Sequence, residues 1–391
     1  MVELDDSQLL VTNVQVYSEN GFSEQGYILI KDSTISEVNV GDFKGNNNIQ
    51  VLDGKGLKAI PGFIDGHIHG ANGADVMDGT PEALETMASI LPEEGTTSFL
   101  ATTITQTPEN IENALKNVAK YQNKRGQAEI IGVHLEGPFI AENKAGAQPK
   151  EYIIKPNQQQ FDHWQRLSGN NIKTITMAPE KDEDGALIRY LAEQGINVSA
   201  GHTDSGFHEI KQAVQHGVRQ LTHLCNAMSG VHHRDVGAVG AAFLLEDIRN
   251  ELIADGIHVS PEMLDIIFDN VGSERLMLIT DALRAKCLQP GTYDLGGQEV
   301  TVSEDRAKLP SGSLAGSILK MVDGAKNMIR YTAAELEHVV EMAAINPAKQ
   351  LGVYDRKGSL EVGKDADILI IDDNLNINVT ICRGKIAYKG D

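Results

Sequence analysis

Six short polar clusters close apolar, β-branched runs along this chain. They are His67-Ile68-His69, His134-Leu135-Glu136-Gly137-Pro138, Gly201-His202-Thr203, Thr222-His223-Leu224, Asp255-Gly256-Ile257-His258 and Thr280-Asp281-Ala282. Imidazoles and carboxylates are ligands for a catalytic divalent cation, and three protein ligands that leave a coordination position open define a catalytic rather than a structural site. Glu136, His202 and His223 form such a set. His67 and His69, two apart on a strand, point to the same face and complete a second set, with Glu136 bridging the two. Asp281 then has the place of a general base toward a nucleophilic water and of a general acid toward a departing amine. Taken singly, each of these residues reads equally well as a solvated loop residue or a helix cap. Their joint placement at run ends is what points to one metal-dependent amide hydrolase site.

The elements that must position them alternate. Strands are expected at Gly62–Ile68, Thr96–Thr103, Ile130–Leu135, Ile172–Ala178, Ile196–Ala200, Val218–Thr222, Asn250–Ala254 and Leu276–Thr280. Helices are expected at Thr80–Glu93, Pro108–Lys124, Gln158–Leu167, Asp184–Glu193, Phe207–His216 and Pro261–Asn270, then at Ser317–Arg330 and Ala333–Ala344. Eight strands alternating with helices give an α/β fold, a (β/α)8 TIM-type barrel, whose catalytic groups gather at the carboxyl ends of the strands. Tyr293–Leu309 interrupts the alternation and reads as a β-hairpin insertion, a lid beside the last loop. Both ends of the chain are β-rich: Leu9–Tyr17, Gly26–Lys31, Thr34–Val40 and Gln50–Asp53 at one, Ile368–Ile371, Val379–Cys382 and Ile386–Tyr388 at the other. The expected organisation is residues 1–60 and 355–391 as the two parts of a small β-sandwich domain around a barrel of residues 61–354.

The 391 residues, 41% hydrophobic and 23% charged, describe an ordinary globular chain. A formal charge of −21 argues against nucleic acid or an anionic membrane as partner. A phosphorylated substrate would need a local basic pocket. The start, MVELDDSQLL, has neither the basic nor the apolar region of a secretion signal. The apolar stretch Val236–Leu245 is too short to span a bilayer. Three scattered cysteines, Cys225, Cys287 and Cys382, fit reduced thiols in a cytoplasmic protein, with Cys225 a small buried thiol rather than a ligand.

The motifs resemble the N-acetylglucosamine-6-phosphate deacetylase family of the amidohydrolase superfamily. The resemblance runs through Pro61-Gly62-Phe63-Ile64-Asp65-Gly66-His67-Ile68-His69-Gly70, His134-Leu135-Glu136-Gly137-Pro138-Phe139, Ala200-Gly201-His202-Thr203, Thr222-His223-Leu224-Cys225-Asn226-Ala227-Met228, Ala254-Asp255-Gly256-Ile257-His258-Val259, Leu278-Ile279-Thr280-Asp281-Ala282, Leu314-Ala315-Gly316-Ser317 and Gly363-Lys364-Asp365-Ala366-Asp367. It implies Glu136, His202 and His223 as principal metal ligands, with His67 and His69 retained for a second ion. It implies Asp281 as the catalytic acid/base, assisted by His258. Substrate contacts are implied at Ala147, Gln148, Asn226, Ala227, Arg234, His258, Leu314, Ala315 and Gly316. The implied reaction is metal-dependent hydrolysis of the acetamide of N-acetyl-D-glucosamine 6-phosphate, in amino-sugar catabolism and cell-wall recycling. The implied cofactor is one or two divalent metals per subunit, Zn2+ first, with Fe2+, Mn2+ or Co2+ as alternatives, and the implied assembly is a homodimer. Two departures stand out: Gln148 where a number of relatives have histidine, and His233-Arg234-Asp235-Val236-Gly237 where His-Arg-Glu-Pro-Gly is common.

Arg234 offers a planar fork for phosphate oxygens, with His232, His233 or His258 to assist; as a plain surface residue it would pair with Asp235. Three alternatives remain open at the level of sequence. One is deacetylation of the epimeric N-acetylgalactosamine 6-phosphate. Another is an amidohydrolase for a different amide, although the usual carboxylated lysine at the end of strand four is replaced here by Met177-Ala178-Pro179-Glu180. The third is a non-catalytic barrel scaffold, which fold alone permits.

Overall fold

The computed structural model describes residues 5–45 and 49–390. The first four residues of the amino-terminal stretch read for a leader lie outside it. Eight parallel strands, β1 (Phe63–Ile68), β2 (Thr96–Thr103), β3 (Glu129–Glu136), β4 (Ile172–Met177), β5 (Asn197–Ala200), β6 (Val218–Leu221), β7 (Arg249–Ile253) and β8 (Leu276–Ile279), pair consecutively in chain order. The first and last strands are joined where the Asp281 amide donates to the His67 carbonyl at 2.8 Å. Beside this link, the buried Asp65 carboxylate accepts from the Thr280 hydroxyl at 2.5 Å and from the Thr280 amide at 3.3 Å. The result is the expected (β/α)8 barrel, nearly closed.

Helices α1 (Pro81–Ile90), α2 (Pro108–Lys120), α3 (Gln158–Leu167), α4 (Ala186–Glu193), α5 (Phe207–His216), α6 (Gly237–Leu244), α7 (Pro261–Val271) and α8 (Met321–Tyr331) surround it. The start signals are local chemistry. Thr80, Thr107, Asn157 and Ser260 cap the free amides of α1, α2, α3 and α7, and α1, α2 and α7 open on proline. Helix α6 was not expected. Its sequence, GAVGAAFL, lacks an amphipathic period because six of its residues are buried, so only its apolarity was legible. The last helical segment also runs beyond the expected Ala344, to Gln350, through a widened turn at Glu341–Ile345 that precedes Pro347.

The strands of the two chain ends join in a single mixed sheet. Asp5–Ser18 pairs antiparallel with Gly21–Lys31 and parallel with Ile49–Asp53 and Lys58–Pro61. Lys58–Pro61 in turn pairs antiparallel with Ile368–Ile371, which leads to Ile377–Cys382 and Lys385–Lys389. One apolar core gathers Val11, Val14, Ile28 and Ile30 from the first end with Ile368, Ile370 and Ile381 from the second. Lys357 fastens this sheet to the barrel. Its buried ammonium meets Asp367 at 2.5 Å, Glu129 at 2.7 Å and Asp365 at 3.0 Å. The two aspartates of the Gly363–Asp367 motif are therefore part of a structural ion network. Arg356 adds a fork to both Glu129 oxygens.

The insertion after β8 is a three-stranded sheet, Gly291–Leu295, Gln298–Val302 and Ala307–Lys308, one strand more than the hairpin expected. Its tight turn uses Gly296 and Gly297, both at positive φ, as a two-residue hairpin loop requires. Leu295, Val300 and Val302 pack on Ile104, Leu283 and Ala315, which seats the sheet beside the barrel mouth.

Candidate active site

His202, His223 and Asp281 each stand two residues beyond the end of their strand, and all three adopt positive φ (46°, 30° and 48°). Non-glycine residues rarely adopt this conformation, and such strain concentrates at functional sites. The same turn, used in three loops, carries the three side chains to one mouth of the barrel. Glu136 ends β3 there, and His67 and His69 reach it from β1. All six are buried.

Two donor sets share Glu136. In the first, His202 Nε2 and His223 Nε2 lie 3.1 and 3.2 Å from Glu136 Oε1 and 3.1 Å from each other. A tetrahedral cation with bonds of about 2.0–2.1 Å separates its ligands by roughly 3.3 Å, so these atoms have the spacing of a coordination face. In the second, His69 Nε2 lies 3.3 Å from Glu136 Oε2 and 3.2 Å from Asp281 Oδ1, and His67 Nε2 lies 3.4 Å from Glu136 Oε1 and 3.5 Å from Asp281 Oδ1. Among the described residues His67 Nε2 is buried without a hydrogen-bond partner. The residues fit one or two divalent cations. His134, also buried, is spent otherwise: its ring nitrogens meet the Gly66 carbonyl and the Thr176 hydroxyl, and burial holds its pKa well below normal.

Protonation tells the same story. Burial disfavours charge throughout, yet Glu136, Asp281 and Glu251 drive the His67 pKa well above normal, and Asp281 and Glu136 raise His69 to about 10. Burial likewise opposes ionisation of Asp281, but His67 and His69 hold it at about 2, and His67, His202 and His223 keep Glu136 well below the carboxylate range. The carboxylates demand positive charge, which protons or a cation can supply.

A second layer orients the rings. His202 Nδ1 donates to the Lys144 carbonyl at 2.9 Å, leaving Nε2 for the cluster. Gln148 donates to Glu136 Oε2 at 2.6 Å while its own oxygen accepts the Thr105 amide at 2.7 Å, so this residue pins the shared carboxylate. His258 Nδ1 donates to Asp255 at 2.6 Å, a bond that raises the His258 pKa against its burial.

The largest surprise lies below. His67 Nδ1 is 3.0 Å from Glu251 Oε2, which also accepts the His223 amide at 3.2 Å. Glu251 Oε1 accepts from Gln220 at 2.6 Å, Gln220 from Asn197 at 2.7 Å, Asn197 from Gln350 at 2.6 Å and Gln350 from Arg249 at 2.8 Å. Since arginine can only donate, every amide in this chain of bonds has a fixed orientation. Sequence reasoning missed Glu251, Gln220 and Asn197. The available signal was polar side chains inside short buried barrel strands, Asn250-Glu251 in β7 and Gln220 in β6.

A cavity of about 140 Å³ opens above the cluster, lined by His69, Glu136, Ala147, Gln148, His202, His223, Asn226, Ala227, His258, Asp281, Leu314 and Gly316, together with Ile104 and Leu295, which sequence reasoning did not single out. Three candidates stand apart. His67 lies beneath the cavity rather than in its wall. Ala315 is fully buried under the insertion, because its amide bonds Ala307 and its side chain packs in the insertion's core. Arg234 sits on an exposed loop outside the lining, against His233 rather than Asp235. At the end of β4, Glu180 accepts from Thr203, Asp204 and Ser205, and Lys181 is exposed, so no lysine enters the cluster. Cys225 is a thiol pushed up to about 12 by burial, and all three cysteines are unpaired.

The barrel, the terminal sheet and the His-x-His, Glu, His, His, Asp constellation define a class, and the chain belongs to the amidohydrolase family, which it matches over residues 59–387. More closely, it is 44% identical over 384 residues to the N-acetylglucosamine-6-phosphate deacetylase of Bacillus subtilis, covering 97% of each chain. It is 32% identical over 374 residues to an N-acetylgalactosamine-6-phosphate deacetylase of Escherichia coli O157:H7, covering 95% of this chain and 97% of that one. The crystal structure of a Mycobacterium smegmatis N-acetyl-D-glucosamine-6-phosphate deacetylase mutant, in complex with N-acetyl-D-glucosamine-6-phosphate, superposes with a TM-score of 0.90 at 26% identity, covering 98% of this chain and all of that one.

Proposed function

We propose that this chain hydrolyses the acetamide of N-acetyl-D-glucosamine 6-phosphate to D-glucosamine 6-phosphate and acetate. The observation that carries the reading is the pair of donor sets sharing Glu136 on the floor of a cavity, with Asp281 at its edge. Glu136, His202 and His223 would hold one divalent cation, and His67, His69 and Asp281 would hold a second. When bound, such an ion supplies Lewis-acid polarisation and lowers the pKa of water. Asp281, kept ionised by its neighbours, accepts the proton of the attacking water and returns it to the amine nitrogen as the C–N bond breaks. His258, held by Asp255, donates to the oxygen on which negative charge develops. Asn226, Ala227, Gln148 and the Leu314–Gly316 turn border the sugar.

Arg234 anchors the phosphate and so contributes positioning rather than chemistry. Its place on an exposed loop supports its action at a neighbouring subunit's cavity in a homodimer. Zinc is the first choice of ion, with iron, manganese and cobalt open by donor type. Among the described residues no helix is long and apolar enough to cross a membrane, and unpaired cysteines support a cytoplasmic setting. The galacto epimer is the second reading, favoured only by a relative of lower identity than the N-acetylglucosamine-6-phosphate deacetylase. The test is acetate release from N-acetylglucosamine 6-phosphate and its galacto epimer, with and without a chelator. Release from the gluco substrate that stops on chelation and returns with metal is expected. Metal-independent release, or none, refutes the reading.

A further inference from the structure

The opposite mouth of the barrel carries a feature that the reaction does not use. At the amino-terminal ends of β4, β6 and β7, a cleft of about 540 Å³ is lined by Lys173, Arg219, Arg249 and Lys349, with Asp247 as its one acidic residue. Among the described residues none of these four cations forms an ion pair. Arg219 donates to the backbone carbonyls of Val214 and Val218, Lys349 lies over the Tyr354 ring, and Arg249 donates to the neutral Gln350. Arg249 is the telling residue. Among the described residues its buried Nε has no acceptor, and burial lowers its pKa with no carboxylate to offset the effect. A guanidinium half withdrawn from water without a counter-charge carries a desolvation cost, and in a chain of net charge −21 carboxylates to pair with it are abundant. Four cations around one cleft, none of them paired with a carboxylate among the described residues, are arranged for a charge that comes from outside.

We infer that this cleft is a binding site for a small phosphorylated anion, distinct from the cavity above the metal-ligand cluster. The cleft's size favours a compact ligand, and the chain's overall acidity disfavours a polyanion that would have to lie along its surface. A phosphoryl group suits the donors, since Arg249 and Arg219 present planar forks and the two lysines add point charge.

The test uses the full chain, metal-loaded, titrated calorimetrically with inorganic phosphate in chloride buffer. Three proteins are compared: the unsubstituted chain, the Lys173→Gln/Lys349→Gln double variant and Arg234→Ala. Arg249 is left alone because it also begins the bonds that reach Glu251. The expected result is a phosphate site that Arg234→Ala retains and the double variant weakens at least tenfold, with acetate release from N-acetylglucosamine 6-phosphate unchanged in the double variant. Phosphate binding that persists undiminished in the double variant, that vanishes with Arg234→Ala, or that is absent from the unsubstituted chain overturns the inference. Failure of the acetate assay itself would bear on the proposed reaction and not on the cleft.

Discussion

Replacing Glu251 by glutamine changes one atom's chemistry and leaves the shape of the side chain intact. In the native arrangement two carboxylate oxygens accept three buried donors: Gln220 on one side, His67 Nδ1 and the His223 amide on the other. A glutamine offers one oxygen. Facing it toward His67 sets two amide nitrogens against each other at the Gln220 contact. Flipping Gln220 to relieve this moves the conflict to Asn197, then to Gln350, and finally to Arg249, which cannot accept. At least one donor is left unpaired, at about 1–3 kcal/mol where it stays at the buried Gln220 contact, and His67 loses the charged partner that sets its tautomer. Outer partners of this kind are worth roughly 10–100-fold in metal affinity. The measurement is metal content per chain, by mass spectrometry, after equilibration across chelator-buffered zinc concentrations. The second equivalent should load at free zinc ten- to a hundredfold higher than in the unsubstituted chain, the first should shift less, and turnover should fall with the second. Thermal unfolding of the same samples shows whether the barrel is intact. An unchanged loading curve in a folded variant would refute the role given to Glu251.

Three further outcomes follow from the geometry. Asp281→Asn should lower the rate of acetate release by several orders of magnitude while phosphate-dependent substrate binding persists; near-normal turnover removes Asp281 from the proton transfers. Arg234→Ala should raise KM for the phosphorylated sugar and change little for the unphosphorylated one, and equal losses on both would make the arginine structural. Burial raises the Glu129 carboxyl, but Lys357 and Arg356 outweigh it and hold the pKa at about 2. Its folded pKa is thus below the unfolded one, so its contribution to stability is complete above about pH 4.5 and is lost as pH falls toward 2. Melting curves should show that Glu129→Gln lowers Tm near neutrality and narrows the gap in acid; a gap that widens in acid contradicts the assignment.

The sequence was legible where one side chain's local setting decides its place. Strand ends with a histidine or acid announced Glu136, His202, His223 and Asp281, because a barrel gathers the carboxyl ends of its strands at one mouth whatever the loops do. The segments opening at Pro81, Pro108 and Pro261 proved to be α1, α2 and α7, since proline suits a first helical position. What stayed hidden depends on which inward-facing residues meet across the barrel. Nothing local says that Glu251 faces His67, 184 residues away in the chain, or that Gln148 grips Glu136. Helix α6 hid for the opposite reason, since a helix buried nearly all round carries no period to read. Arg234 was expected to serve as a phosphate fork, but its position outside the cavity lining belongs to loop conformation, which no spacing rule fixes.

The terminal sheet imposes an order of events during synthesis. Lys58–Pro61 finds one neighbour in Asp5–Ser18 but must wait for Ile368–Ile371, about 300 residues later, to cover its other edge. At ribosomal speeds of roughly 5–20 residues per second, that edge stays open for about 15–60 seconds in every nascent chain. An unpaired apolar strand held open for so long is an invitation to a neighbouring polypeptide on the same message. Any premature stop before residue 368 would make the vulnerability permanent, whatever the condition of the catalytic barrel.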